Sequence, residues 1–257
     1  MTTRRVLDVV FCLDASASMQ PCIDSVRAHI GDFLAGLTSA NSQAQWDWRV
    51  DFVAHSAGQI GTQIDQIVFD FRSLFEESSA QLIDSLYKPQ TSGRFFTRDL
   101  DEFRRGLAAL ATNGDETPLV ALDCCLDFPW REAAQCHRVV IMLTDEAFET
   151  GIYQSEQLAL LPKLVRKIQS LRVLLYLVAP ESSAFNKLAE VEKSEYETVD
   201  LVGNGLVGVD FKLLLTQIGK SVSVSTNQGI TKGIEERGLF GQARWGAITQ
   251  PVTIRGS

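Results

Sequence analysis

Val6-Leu-Asp-Val-Val-Phe-Cys-Leu13 is a run too apolar to have one wet face, and Asp14-Ala-Ser-Ala-Ser18 closes it with turn-prone residues. That pattern predicts a central parallel strand buried on both faces. Ile23, Val26, Ile30, Phe33, Leu34 and Leu37 then recur at three and four, the period of an amphipathic helix. From Trp46 to Val53 the chain alternates Trp46, Trp48, Val50 and Phe52 against Asp47, Arg49 and Asp51, which predicts a second strand with one wetter face.

Ile64, Ile67, Phe69 and Phe71 suggest a short third strand from Ile64 to Phe71, and Leu82, Ile83 and Leu86 a small helix closed by Lys88-Pro89. Phe103, Leu107 and Leu110 fit a helix opening near Asp99. Pro118 suits a first helical turn, starting a helix from Leu119 to Phe128 that Pro129 stops. Val139 to Leu143 repeats the layout of the first strand, an apolar run ending on Thr144-Asp145-Glu146. A helix over Ser155–Ser170, a buried run from Leu171 to Val178, a short helix over Phe185–Val191, a weaker strand over Tyr196–Val202 and a last helix over Phe211–Ile218 complete the alternation. Strands alternating with helices predict one α/β domain, a doubly wound and mostly parallel sheet with helices on both faces, over residues 5–222. Residues 223–257 lose the periodicity and carry Gly229, Gly233, Gly238, Gly241 and Gly246, so they are expected to be a Gly-rich extension outside the core.

Composition narrows the function. The chain has 257 residues and a net charge of −8, with 24 Lys+Arg against 32 Asp+Glu, which lacks the basic surface that nucleic-acid binding needs. No apolar stretch approaches the length of a membrane span, and the N-terminus does not read as a secretory signal. Cys12, Cys22, Cys124, Cys125 and Cys136 lack zinc or disulfide spacing and read as reduced, buried cysteines of a cytoplasmic protein. Neighbours on a helix diverge by about 100°, so of Cys124 and Cys125 one is expected inward and the other at a flank; a vicinal redox switch is the less favoured alternative. Arg94, Arg98, Arg104 and Arg105 interleave with Asp99, Asp101 and Glu102 and read as a solvated helix face. Phe69, Phe71, Phe95 and Phe96 read as core.

Three segments place oxygen-bearing side chains at the carboxyl ends of strands or at a helix start: Asp14-Ala-Ser16-Ala-Ser18, Thr117-Pro118-Leu119, and Leu143-Thr144-Asp145. A sheet of this class builds its site there. If the two apolar runs are neighbours where the strand order reverses, Asp14 and Asp145 face one crevice. Two carboxylates and three hydroxyls form a hard-oxygen set suited to Mg²⁺, with Mn²⁺ or Ca²⁺ as alternatives. Taken alone, each segment also has an ordinary reading: Asp14 and the serines as a helix cap, Thr117-Pro118 as a cap with proline in the first turn, Asp145 as a strand-end turn residue.

Together the three segments resemble the von Willebrand factor A domain and its metal-ion-dependent adhesion site: D-x-S-x-S as Asp14, Ser16 and Ser18, the threonine before P-L-x-x-A-L as Thr117, and L-T-D as Asp145. The resemblance implies a Rossmann-like fold. It further implies that the serines and the threonine contact the metal directly, that the aspartates act through water, and that a partner's Asp or Glu takes the sixth position. It also implies a non-catalytic protein-interaction module in a larger assembly, often beside an ATPase or kinase. Asp115-Glu116 and Glu146-Ala147 depart from the glycines frequent in the family and add acidity at the rim. The segment from about Gly58 to Phe96 is longer than a minimal A domain needs and is a candidate for specificity.

Two enzyme readings compete. A haloacid-dehalogenase-like phosphatase would use Asp14 as nucleophile, but it needs a second carboxylate where Ser16 stands. A serine hydrolase would use Ser56 in the A-x-S-x-G elbow Ala54-His55-Ser56-Ala57-Gly58, with only His137 downstream as base, and the elbow requires a helix directly after Ser56.

Overall fold

The computed structural model describes residues 4–39, 45–56, 59–62, 68–70, 95–112, 116–134, 136–150, 153–200 and 202–227. Strand β1 (Arg4–Asp14) lies at the centre of a seven-stranded sheet. It pairs in parallel with β2 (Gln45–Ser56) on one side and with β5 (His137–Leu143) on the other. Beyond β5 follow β6 (Val173–Ala179) and β7 (Ser194–Thr198), both parallel. Beyond β2 the chain turns back through β3 (Gln59–Thr62) and β4 (Val68–Asp70), each antiparallel to its neighbour. The order is β4-β3-β2-β1-β5-β6-β7, so it reverses between β1 and β5.

Both faces of the sheet are covered, as all-apolar strands require. In β1 the side chains alternate: Leu7, Val9, Phe11 and Leu13 enter one core, Val10 and Cys12 the other. The first core is closed by α1 (Gln20–Ser39), α2 (Leu100–Ala108) and α6 (Phe211–Asn227), the second by α3 (Pro118–Leu126), α4 (Gln154–Leu171) and α5 (Ser183–Ala189). The result is a three-layer, doubly wound α/β fold. Helices α1 and α6 meet through glycines: a Cβ on Gly36 would lie 2.3 Å from the Thr216 carbonyl oxygen, and one on Gly219 2.2 Å from that of Phe33.

Most expected elements form within a few residues of their sequence limits. Of the strand expected over Ile64–Phe71, Val68–Asp70 forms β4 and the rest lies outside the described residues; β3 precedes it at Gln59–Thr62, a strand the apolar pattern did not indicate, because its pairing back on β2 is a non-local contact. The last helix passes the apolar period and runs on to Asn227. The helix expected around Leu82, most of residues 58–96 including Phe71 and Arg94, Asp115, and residues 228–257 lie outside the described residues. Cys124 and Cys125 are both fully buried, against the expected split, because α3 is enclosed on all sides and every one of its residues from Pro118 to Leu126 is buried. All five cysteines are buried and free. Arg98, Arg104 and Arg105 pair with Asp47, Asp101 and Asp99, as a solvated acidic and basic face would. Phe95 and Phe96 pack on Phe128 in the second core.

At the amino end of the strands, away from the crevice, Asp8 is wholly buried and held by both Arg49 and Arg131, the latter also bonding the Leu7 and Asp47 carbonyls. Arg49 stacks on the Phe96 ring at 4.1 Å. Asp51 accepts the Phe96 amide, which helps return the segment 95–97 to β2.

Candidate metal centre

The loops after β1 and β5 meet at the reversal of strand order, where a cleft forms in this fold class. Asp14 is the last residue of β1 and is wholly buried. One carboxylate oxygen accepts the Ser16 amide at 2.7 Å, and the other accepts the Thr144 hydroxyl at 2.7 Å from the end of β5. Ser16 and Ser18 point the same way, with their hydroxyl oxygens 3.1 Å apart. The Ser18 hydroxyl then donates to Asp145 at 3.1 Å. Asp14, Ser16, Ser18 and Asp145 therefore form one cluster across the β1–β5 crevice.

Thr117 reaches this corner from the start of α3. Its amide donates to Nδ1 of His55 at 3.1 Å, and His55 is the β2 residue paired with Asp14. The neighbouring Glu116 contacts the Ser16 hydroxyl and feels the charge of Asp14. Thr117 is wholly buried, makes no side-chain cap on α3, and its hydroxyl has no hydrogen-bond partner. A plain capping role is thereby removed for Thr117, and Ser16 likewise makes no side-chain cap at the 3₁₀ turn Ala17–Met19.

Asp145 is held from behind by a turn. Gly203 donates its amide to the Asp145 carbonyl at 2.8 Å, and Gly205 donates to its carboxylate at 2.5 Å. Both glycines have φ near +68°, and a Cβ on Gly205 would lie 2.1 Å from the Ser18 carbonyl oxygen. Only glycine fits a positive φ at so close a backbone approach.

The electrostatics are one-sided. Burial, above all, raises the Asp14 pKa to about 6, and the charge of Asp145 adds to it against three hydrogen bonds. Burial and then Asp14 push Glu116 up to about 7, with Glu146 adding to the effect. His55 is buried and driven down to about 3, so it is neutral. With Nδ1 accepting from Thr117, its proton sits on Nε2. Asp14 accepts from the Ser16 amide and the Thr144 hydroxyl, Asp145 from the Ser18 hydroxyl and the Gly205 amide, and the two serine hydroxyls share one further contact, which leaves lone pairs on both carboxylates. An oxygen cluster with more lone pairs than donors, plus one orphaned buried hydroxyl, fits a hard divalent cation. Among the described residues no group of three His, Cys, Asp or Glu side chains could hold a metal, so a cation here would depend on the hydroxyls.

The sequence singled out the five oxygen residues but not the groups that position them. His55 stood out in the sequence only as part of the Ala54–Gly58 elbow, whereas it is a buried strand residue whose ring accepts the Thr117 amide. The Gly203-Asn-Gly205 turn carried a signal, two glycines bracketing an asparagine, but nothing local tied it to Asp145.

The hydrolase geometry does not form. β2 ends at Ser56 and leads into the antiparallel β3, with Ser56 opposite Gln59, where an elbow needs a helix. His137 pairs with Leu7 at the other end of the sheet, while His55 pairs with Asp14. Seven residues of strand, roughly 23 Å, separate those levels.

The strand order, with the loops after β1 and β5 and the start of α3 meeting near its reversal, is that of a doubly wound α/β fold. Among solved structures the chain is similar to the SpRpn10 VWA domain, at 10% identity and a TM-score of 0.47, over 79% of this chain and 94% of that one. It is also similar to proximal thread matrix protein 1 from the mussel byssus in two structures. These have 13% and 10% identity and TM-scores of 0.46 and 0.45, over 84% and 85% of this chain and 47% and 46% of that protein's. No family model and no curated protein sequence matches the chain. Among the described residues no helix is long and apolar enough to cross a membrane.

Proposed function

We propose that this chain is a metal-dependent protein-interaction module. Asp14, Ser16, Ser18, Thr117 and Asp145 would hold Mg²⁺, or Mn²⁺ or Ca²⁺, at the β1–β5 crevice. A divalent ion bound there supplies an electrophilic centre for the Asp or Glu side chain of a protein partner. The observation that carries the reading is the buried Thr117 hydroxyl without a partner, beside the buried carboxylates of Asp14 and Asp145. Ser16 and Ser18 offer neutral oxygens, so they do not cancel the ion's charge. Asp14 and Asp145 are fixed by Thr144 and Gly205, which hold their carboxylates in place before any cation arrives. Five reduced cysteines suit a cytoplasmic protein, and the family resemblance suggests a larger assembly, beside an ATPase or kinase.

The test is recovery of partners from native lysate by the intact chain with Mg²⁺, with EDTA, and by Asp14→Ala with Mg²⁺. The expected result is a set of partners captured in the first arm and absent from the other two. Identical recovery in all three arms would sink the metal-bridged mechanism.

A further inference from the structure

We propose that His55 and Gln157 are positioning residues of the metal centre: they satisfy the first amides of α3 in place of Thr117, and so leave the Thr117 hydroxyl for the cation. The inference rests on the metal centre described above and accounts for the hydroxyl that has no partner there.

A threonine placed just ahead of a helix ordinarily has an extended backbone and turns its hydroxyl onto an amide two or three residues on. Thr117 does neither. Its backbone sits at φ −134° and ψ 59°, and its side chain makes no cap on α3. Side chains from two other elements stand in for it. Nδ1 of His55, on β2, accepts the Thr117 amide at 3.1 Å, and Oε1 of Gln157, in the first turn of α4, accepts the Leu119 amide at 3.0 Å. Pro118, between them, has no amide to satisfy.

The exchange is costly unless the hydroxyl has a use. Glutamine is seldom fully buried, yet Gln157 is wholly enclosed, as are Thr117 and Leu119. A threonine at 117 could serve the Leu119 amide by itself, since Leu119 is the second residue of α3 and within the reach of a capping hydroxyl. Gln157 takes that amide instead and leaves the Thr117 hydroxyl orphaned. Its own amide donates to the Tyr153 carbonyl at 2.9 Å, so the backbone of α4 sets its place before any cation arrives. With Gln157 removed, the Thr117 hydroxyl would turn to the Leu119 amide and become an ordinary cap, lost to the crevice.

The test is a cycle of Gln157→Leu and Thr117→Val, singly and together in the full chain, with His55→Asn and His55→Leu beside it. Melting temperature is read in EDTA, and affinity for Mn²⁺ by electron paramagnetic resonance. In EDTA, Thr117→Val should not lower the melting temperature of the wild type, but should lower that of Gln157→Leu, where the hydroxyl has become the cap. Gln157→Leu should bind Mn²⁺ roughly tenfold more weakly than the wild type, as removal of a group behind a metal ligand does. Adding Thr117→Val to it should weaken binding no further, which a merely structural glutamine would not produce. His55→Asn, whose Oδ1 can replace Nδ1 as acceptor, should keep more of the affinity than His55→Leu. Additive effects of Gln157→Leu and Thr117→Val, or equal Mn²⁺ affinity in the two His55 variants, would overturn the inference while leaving the metal centre standing. No Mn²⁺ binding by the wild type would overturn both.

Discussion

Thr117 holds a hydroxyl that is wholly buried, unpartnered and useless to its own helix. An unsatisfied buried polar group costs about 1–3 kcal/mol, so the residue is a liability unless a ligand uses it. Thr117→Val keeps the shape and removes the hydroxyl. The metal-free variant is expected to be at least as stable as the wild type in urea, by up to about 1 kcal/mol, yet to lose most of the thermal stabilisation that Mg²⁺ confers. Loss of stability in EDTA would mean that the hydroxyl has a structural role. Gly205 is the counterpart behind Asp145. Gly205→Ala forces a Cβ to within 2.1 Å of the Ser18 carbonyl at a φ of +68°, so the loop must shift and release the Asp145 carboxylate. Differential scanning fluorimetry should show a lower melting temperature for this variant and no response to Mg²⁺.

Between elements, the tightest contact is the one that closes the first core. α1 and α6 approach until the backbone at Gly36 touches that at Thr216 and Gly219, which leaves no room for a methyl group on either glycine. Gly219→Ala would raise helix propensity by up to about 1 kcal/mol but pushes two backbones apart, and overpacking of that kind typically costs about 1–3 kcal/mol. Net destabilisation is expected in urea melts, because the contact is with backbone that cannot rotate away. A gain in stability would show that the helices separate freely. On the opposite face, α3 and α4 are clasped by Lys163 and Lys167 on Asp123, with Lys167 reaching Asp127 as well. The crevice thus sits above a sheet braced on both sides.

At the scale of the molecule, charge is segregated along the strands. The carboxyl ends of the strands gather Asp14, Glu116, Asp145 and Glu146, while the amino ends hold Asp8 saturated by two arginines. Burial alone would raise the Asp8 pKa, but the bonds and charge of Arg49 together with the Arg131 contacts outweigh it, and the net shift is downward. Asp123 is lowered in the same way, its burial outweighed by Lys167 and Lys163. A carboxyl with a lowered folded pKa stabilises the fold above its unfolded pKa. That contribution is lost as pH falls below the unfolded value toward the folded one. Stability from Asp8 and Asp123 should therefore be complete at neutral pH and decline below about pH 4. Asp8→Asn should cost up to about 3 kcal/mol at pH 7 by leaving the partly buried Arg49 without its carboxylate and Arg131 with Asp47 alone, and its denaturation midpoint should fall less steeply in acid than that of the wild type. An unchanged acid slope would remove Asp8 from the account.

Much of this was legible in the chain. The two apolar runs ending on Asp14 and Asp145, the 3.6-residue period of Phe33 and Leu37, and the proline opening α3 are local signals, and each is set by burial or backbone chemistry within a few residues. The three oxygen-bearing segments were visible too, because their residue types and spacing are written in sequence. The β3 and β4 hairpins, the burial of both Cys124 and Cys125, the seat of His55 under Thr117, the Gly203–Gly205 turn behind Asp145, and the saturation of Asp8 were not. Each depends on residues tens of positions apart, whose meeting is decided by strand order and helix packing. The sequence by itself determined an alternating α/β chain with hydroxyls and carboxylates at its strand ends. Only the tertiary structure decided that they share one cleft, because the reversal of strand order between β1 and β5 is a property of the assembled sheet.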